Sequence, residues 1–275
     1  MLELGAVRNA VRTYFMVSID TELKYAYRFY PDLKIARMLQ NHEDIAIAAV
    51  DRILQLFETY KVPATWALVG KLFYEHSEIV DKIRGTTVQH EIGYHSFSHI
   101  PFSESSRQAA KTELDEGLKI QDDFGVDFKS FVFPENKIGH VDLLHQYGYE
   151  IYRGANRAGK GIGKPLFVRA MSFAASKIVA PPVKPLWKDR IWEIQSSMMF
   201  YDLPYFQTLI LRAKKGIQEA IAGGNTFHMF IHPQDVLLDL KLLDRFEKVL
   251  QFVNAETEEN RLSSITMGDL ALALR

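Results

Sequence analysis

His95-Ser96-Phe97-Ser98-His99 sets two imidazoles four residues apart, a spacing at which one turn of helix brings both rings to the same side. Upstream, Asp20 and Glu22 are two apart in Ser18-Ile19-Asp20-Thr21-Glu22, and at the end of a strand that period puts both carboxylates on one face. Downstream, His232 follows the apolar run Phe227 to Ile231 and precedes Pro233. Two histidines and one carboxylate are a ligand set of catalytic zinc sites, which keep one position open. Of two carboxylates on one face, one can enter a metal's coordination sphere while the other acts as a base. A histidine with its ordinary pKa of about 6.5 can protonate a leaving group. Each piece also has a plainer reading: the carboxylate pair as a solvated strand end or a cap, the histidines as structural side chains. His228, deeper in the same apolar run, reads as a structural histidine.

These groups need a scaffold that gathers strand ends. Short β-rich runs alternate with amphipathic helical stretches along the chain, the pattern of a parallel sheet or barrel built from βα units. The strand candidates are Tyr14–Asp20, Ala64–Gly70, His90–His95, Ser130–Pro134, Tyr149–Arg153, Ile191–Ser196, Thr226–His232 and Ser263–Met267. Ile45, Ala49, Ile53, Leu56 and Phe57 form one helical face, and Leu238, Leu242, Phe246 and Leu250 another. No shift in composition divides the chain, so a single domain over 1–275 is expected. In such architectures functional groups sit at the C-terminal ends of strands, where Asp20, His95, Pro134 and His232 fall. Thr21–Gln40 reads as a long, tyrosine-rich connection (Tyr25, Tyr27, Tyr30), a form that binding loops and lids often take.

Composition removes several classes. The 275 residues are 47% hydrophobic and 24% charged, with a formal net charge of −1, so no basic footprint for nucleic acid exists. The absence of cysteine excludes disulfides, thiolate metal sites and a cysteine nucleophile. No stretch is long and apolar enough for a membrane span; Leu166–Leu186 is broken by charges and prolines. Met1–Val17 lacks a signal-peptide pattern, and the expected compartment is the cytoplasm. Gly154-Ala155-Asn156-Arg157-Ala158-Gly159-Lys160-Gly161 matches a phosphate-binding loop as far as its lysine. It then fails, because Gly161 stands where a metal-binding hydroxyl belongs and Pro165 blocks the helix that should follow. His90-Glu91-Ile92-Gly93-Tyr94-His95 has one residue too many for a zincin helix, whose histidines would then lie roughly 140° apart.

Taken together, the motifs resemble the polysaccharide deacetylase (NodB-homology) family of carbohydrate esterases over Tyr14 to Leu270. Ser18–Glu22 is similar to the family's first motif, His95–His99 to its His-Ser/Thr-x-x-His motif, and Phe230–His232 to its last. Ala64–Gly70, Phe131–Asn136 and Ile191–Ser197 also look like this family. The resemblance implies a distorted (β/α) barrel of seven or eight mostly parallel strands. It also implies Asp20 as general base, His95 and His99 as metal ligands and His232 as general acid. Most members carry an aspartate ligand directly after the base; Thr21 stands there, and Glu22 fits the variant that places the ligand two residues on. Most also carry an arginine two residues before the motif proline, where this chain has Val132, and Arg153 is the candidate substitute. The segment Pro134, Glu135 and Asn136 would line the oxyanion, Glu135 through its backbone N–H. Asp189-Arg190-Ile191-Trp192 resembles the family's Asp-x-x-Trp, which would bring Trp192 to the substrate; equally, Trp192 packs within its strand.

The expected reaction is metal-assisted hydrolysis of an acetyl amide or ester on a sugar or oligosaccharide, free or lipid-linked. The metal is zinc first, with iron, cobalt or nickel as others the donor set suits. Tyr25, Tyr27, Phe200, Tyr201 and Tyr205 are candidates for stacking on sugar rings, and equally for packing under loops. Two rivals stay open: hydrolysis of another non-peptide C–N bond, such as a formamide or a ureide, and a silent sugar-binding protein. Oligomeric state is left open by the sequence.

Overall fold

The computed structural model describes residues 13–27, 33–155, 179–201 and 208–275. In chain order the strands are β1 (Tyr14–Thr21), β2 (Thr65–Leu68), β3 (Glu91–Tyr94), β4 (Ser130–Val132), β5 (Ile151–Gly154), β6 (Leu186–Lys188), β7 (Ile191–Gln195), β8 (Met198–Met199), β9 (Thr226–Ile231) and β10 (Ser263–Ser264). The helices are α1 (Lys34–Tyr60), α2 (Lys71–Glu75), α3 (Ser77–Arg84), α4 (Arg107–Phe124), α5 (Val141–Gln146), α6 (Leu209–Gly223), α7 (Leu242–Glu258) and α8 (Met267–Ala273).

The strands form one curled sheet in the order β6-β7-β5-β4-β3-β2-β1-β9-β8, with β10 beside β1. All these pairings are parallel except β6–β7. This is the distorted, mostly parallel (β/α) barrel expected from the sequence. All eight expected strands are present, and β6 and β8 are additions too short to carry a period of their own.

The two faces of β1 explain its composition. Phe15, Val17 and Ile19 face the helices and join the main apolar core, whereas Met16 packs inside the barrel with Ala67, Val132, Ile151, Ile194 and Met267. Alternation then puts Ser18 and Asp20 inside as well and turns Thr21 outward. Leu270 and Ala271 of α8 join this inner cluster and close the N-terminal end of the barrel. The other end is left for polar groups.

Several expectations are corrected. Ala49, Ile53, Leu56 and Phe57 form the buried face of α1 as expected, joined by Ala46 and Val50, whereas Ile45 is 38% exposed at the edge of that face. Leu238 is likewise exposed and precedes α7, whose buried face begins at Leu242. The connection after β1 is shorter than Thr21–Gln40, since α1 starts at Lys34. Tyr30, Tyr205 and most of the glycine-rich segment 154–165 lie outside the described residues. Among the described residues no helix is long and apolar enough to cross a membrane.

Candidate active site

Asp20 is the last inward residue of β1, and Glu22 follows just beyond it, where the chain turns into a single 3-10 turn, Leu23–Tyr25. His95 follows β3, with its N–H bonded to the Leu68 carbonyl at 2.9 Å. The segment His95–His99 is not a helical turn, which corrects the expectation from spacing. Ser96 and His99 have φ of 57° and 59°, and this left-handed backbone folds the two rings toward one another, 4.9 Å between centroids. The turn is fastened from outside. Gly70 N–H donates to Ser96 O at 2.8 Å and Lys71 N–H to Phe97 O at 3.0 Å, while the buried Glu113 accepts from the backbone N–H and hydroxyl of Ser98, each at 2.7 Å. A Cβ on Gly70 would lie 2.9 Å from Phe97 Cα, so only glycine lets the two segments meet.

The result is a compact polar cluster. Glu22 Oε1 lies 2.9 Å from His95 Nε2 and 3.1 Å from His99 Nε2. Glu22, His95 and His99 each offer a ligand atom within 4.8 Å of the others, and all three are buried. The Val132 carbonyl, 2.7 Å from His95 Nδ1, can only accept, so Nδ1 carries the proton and an uncharged His95 turns its Nε2 lone pair toward Glu22. A carboxylate oxygen and the His95 lone pair facing one another repel unless a proton or a cation stands between them. The donor set therefore fits a divalent cation, with the orienting carbonyl that ligating histidines usually have.

Asp20 belongs to a second set. Arg153, on β5, donates from Nη1 to Asp20 Oδ1 at 2.6 Å and from Nη2 to Oδ2 at 2.5 Å, with both side chains buried. The guanidinium also bonds Ser18 Oγ at 3.0 Å and Asn136 Oδ1 at 3.3 Å, and lies 4.1 Å from the centre of the Phe230 ring. Burial pushes the Asp20 carboxyl up, but Arg153, joined by His232 and His95, outweighs it and the pKa is lowered. Where a proton rather than a cation stands between these groups, Glu22 is held well below its usual range: burial opposes this, and the charge of His99 and His232 with hydrogen bonds from His95 and His99 outweighs it.

His232 Nε2 approaches Asp20 Oδ2 at 3.6 Å and Glu22 Oε1 at 3.9 Å, while its Nδ1 is bonded to Asp235 Oδ2 at 2.8 Å. Burial pulls this imidazole down, yet Asp235, Glu22 and Asp20 together push it up to about 10. His228, by contrast, is fully buried, bonded to Ser18 Oγ at 3.1 Å and pushed down to about 3 by burial and by Arg153. It is the neutral, structural histidine of the pair.

The structure thus brings together Asp20, Glu22, His95, His99, Arg153 and His232, with Pro134–Asn136 as the adjoining turn. Glu135 and Asn136 both have φ of 54°, and the Glu135 carboxylate is turned to Lys137 Nζ at 2.9 Å. Trp192 does not join them. It lies near the N-terminal end of β7, two residues before the Arg153 partner Ile194, and faces Trp187 across β6–β7, their rings 5.0 Å apart. Parallel pairing fixes that placement, since residues at the start of β7 lie at the barrel end away from the histidines. His90 and His95 flank β3, so this stretch is a strand and not a zincin helix. Tyr25 and Phe200 are core residues, whereas Tyr27 is half-buried near the site; burial, Asp235 and Glu22 push its phenol up.

Sequence reasoning missed Ser18, Glu113, Gln234 and Asp235. Ser18 had a usable signal, two residues before Asp20 on the same strand face. Asp235 and Gln234 follow His232-Pro233 directly, but only a turn that folds back, Pro233–Leu237, makes them part of the site.

The family model described as polysaccharide deacetylase matches residues 37–151, which bears out the resemblance carried by the motifs. No curated protein matches the chain significantly. Among solved structures, the chain is similar to a candidate polysaccharide deacetylase of Mycobacterium smegmatis, at 13% identity and a TM-score of 0.70, with 95% of this chain and 89% of that one covered. It is similar to another such candidate from Pseudomonas aeruginosa PAO1, at 12% identity and a TM-score of 0.66, covering 94% and 90%. A Puue allantoinase matches at 12% identity and a TM-score of 0.64, covering 94% and 89%. At these identities the likeness is one of fold.

Proposed function

We propose, from that resemblance and the cluster at the strand ends, that the chain is a metal-dependent hydrolase that removes an acetyl group, held as amide or ester, from a carbohydrate. The observation that carries this reading is the sharing of Glu22 Oε1 by His95 Nε2 and His99 Nε2, at 2.9 and 3.1 Å, beside an Asp20–His232 pair. Glu22, His95 and His99 would hold a divalent cation, zinc by donor type with iron, cobalt or nickel also suited, which when bound polarises the acyl carbonyl and lowers the pKa of water.

The chain's own residues then divide the work. Asp20 takes the proton of the attacking water as the oxygen bonds to the acyl carbon. Arg153 keeps that carboxylate ionised and aimed, and does so from the strand next to the family's usual position: Val132 and Arg153 are register partners on β4 and β5. As the C–N or C–O bond breaks, His232 gives its Nε2 proton to the departing amine or alcohol, with Asp235 holding the imidazole upright. The left-handed backbone at Glu135 offers its N–H to the developing oxyanion, with the acidic side chain drawn aside by Lys137. Free or lipid-linked acetylated sugars in the cytoplasm or at a membrane surface are the proposed substrates, with Tyr27 and Tyr201 at the approach.

A second reading, hydrolysis of a cyclic ureide, is favoured by the fold shared with the Puue allantoinase. Assay of acetylated sugars against ureides and formamides separates the two. The direct test pairs turnover with metal content. Asp20→Asn is expected to keep its metal and lose turnover by about 10²- to 10⁴-fold, whereas His95→Ala loses both. A fully active Asp20→Asn enzyme would sink the assignment.

A further inference from the structure

We infer that Gln234 is a positioning residue that makes Glu22 present a single oxygen to the metal site. The inference rests on the metal-site reading above. Gln234 stands two residues after His232, in the Pro233–Leu237 turn, and is 1% exposed. Its Nε2 donates to Glu22 Oε2 at 3.0 Å, while Glu22 Oε1 faces both histidines. The two oxygens of one carboxylate therefore have different partners. The amide can take only this orientation, because the flipped one would set Gln234 Oε1 against a carboxylate oxygen, acceptor against acceptor.

The need for such a clamp follows from where the ligand stands. An aspartate inside the β1 ladder would be aimed by the strand itself. Position 21 is turned to the outer face, and Glu22 sits beyond the strand with one more rotatable bond, at a backbone of φ −108° and ψ −32°. Its extra rotamer freedom must be removed for Oε1 to stay on the histidines, and among the described residues it is Gln234 that holds Oε2. Both oxygens would otherwise be free to swing onto the metal together, raising the coordination number and using the open position that hydrolysis requires.

Zinc affinity, measured by competition with a chelating indicator, and the visible spectrum of the Co2+-loaded protein test this. Gln234→Leu is expected to bind Zn2+ about 10- to 100-fold more weakly, the usual cost of losing an outer partner of a ligand, and to lose Co2+ band intensity as coordination number rises. In a Glu22→Asp background, where the shorter side chain cannot span both partners, Gln234→Leu should cost less than about threefold; that loss of effect separates positioning from mere packing. A Gln234→Leu protein that binds Zn2+ within threefold of wild type with an unchanged Co2+ spectrum overturns the inference and leaves the metal site standing. A wild-type protein that takes up no metal overturns the metal site itself, and this inference with it.

Discussion

The two ends of the barrel each enclose carboxylates and treat them in opposite ways. At the C-terminal strand ends Asp20 and Glu22 are buried and their pKa values are lowered. At the N-terminal end Glu91 begins β3 with its Oε2 accepting from Thr65 Oγ1 at 2.7 Å and from Gly268 N–H at 2.8 Å, and burial pushes its carboxyl up. Glu91 is only half-buried and Asp20 and Glu22 are buried, so depth alone would order them the other way; the partners decide. Neutral donors do not offset desolvation at Glu91, whereas Arg153 and three imidazoles more than offset it at Asp20 and Glu22. An ionised carboxylate is what a cation or a general base needs, so the comparison teaches why one end can do chemistry and the other serves as a plug.

Removing the cation from the active end should produce the largest effect. Arg153→Leu strands the Asp20 carboxylate without its counter-charge and is expected to destabilise the fold by about 3–5 kcal/mol in urea unfolding, with turnover lost. Arg153→Lys keeps charge without the two-pronged contact and should fall in between. A loss below about 1 kcal/mol for Arg153→Leu would mean that Asp20 is protonated in the folded state.

Thr21 tests the geometry of β1. Its Oγ1 is buried without a partner, so Thr21→Val should be neutral or slightly stabilising. Thr21→Asp restores the family's usual residue but points it outward into the core, and is expected to cost about 1–3 kcal/mol with no gain in metal affinity. Tighter metal binding by Thr21→Asp would show that the strand can present residue 21 to the histidines.

Glu91 gives the smallest effect and the clearest sign. A raised folded pKa contributes stability that is complete below the unfolded value of about 4.3 and is lost as pH rises through the folded value; lowered pKa values, as at Asp20 and Glu22, contribute stability lost on acidification. Glu91→Gln should therefore gain on wild type as pH rises, by no more than about 1 kcal/mol, while the acid-side loss persists. Unfolding curves from pH 4 to 9 that stay parallel for the two proteins would remove the comparison.

The active end was more legible in sequence than the plug. Asp20, Glu22, His95, His99 and His232 stand at strand ends because apolar runs end there, and that pattern is local. His95–His99 was legible as a pair but not as a shape, since left-handed φ at Ser96 and His99 is imposed by contacts from Gly70, Lys71 and Glu113. Trp192 stayed undecided between substrate and strand packing because a four-residue motif carries no information about which end of a strand it occupies. Glu91 read only as half of a discarded zincin pattern, since its surroundings come from Thr65 and Gly268, far away in the chain.

Sequence alone determined the alternation of strand and helix, the inward parity of Ser18 and Asp20, and the residue types that meet at the strand ends, because periodicity and chemistry are carried by neighbours. Tertiary structure alone decided which cation answers Asp20, which oxygen of Glu22 faces the histidines, and which barrel end each carboxylate occupies. Those depend on register between strands distant in the chain, and on the balance of desolvation against partners that only the closed barrel brings within 3 Å or so.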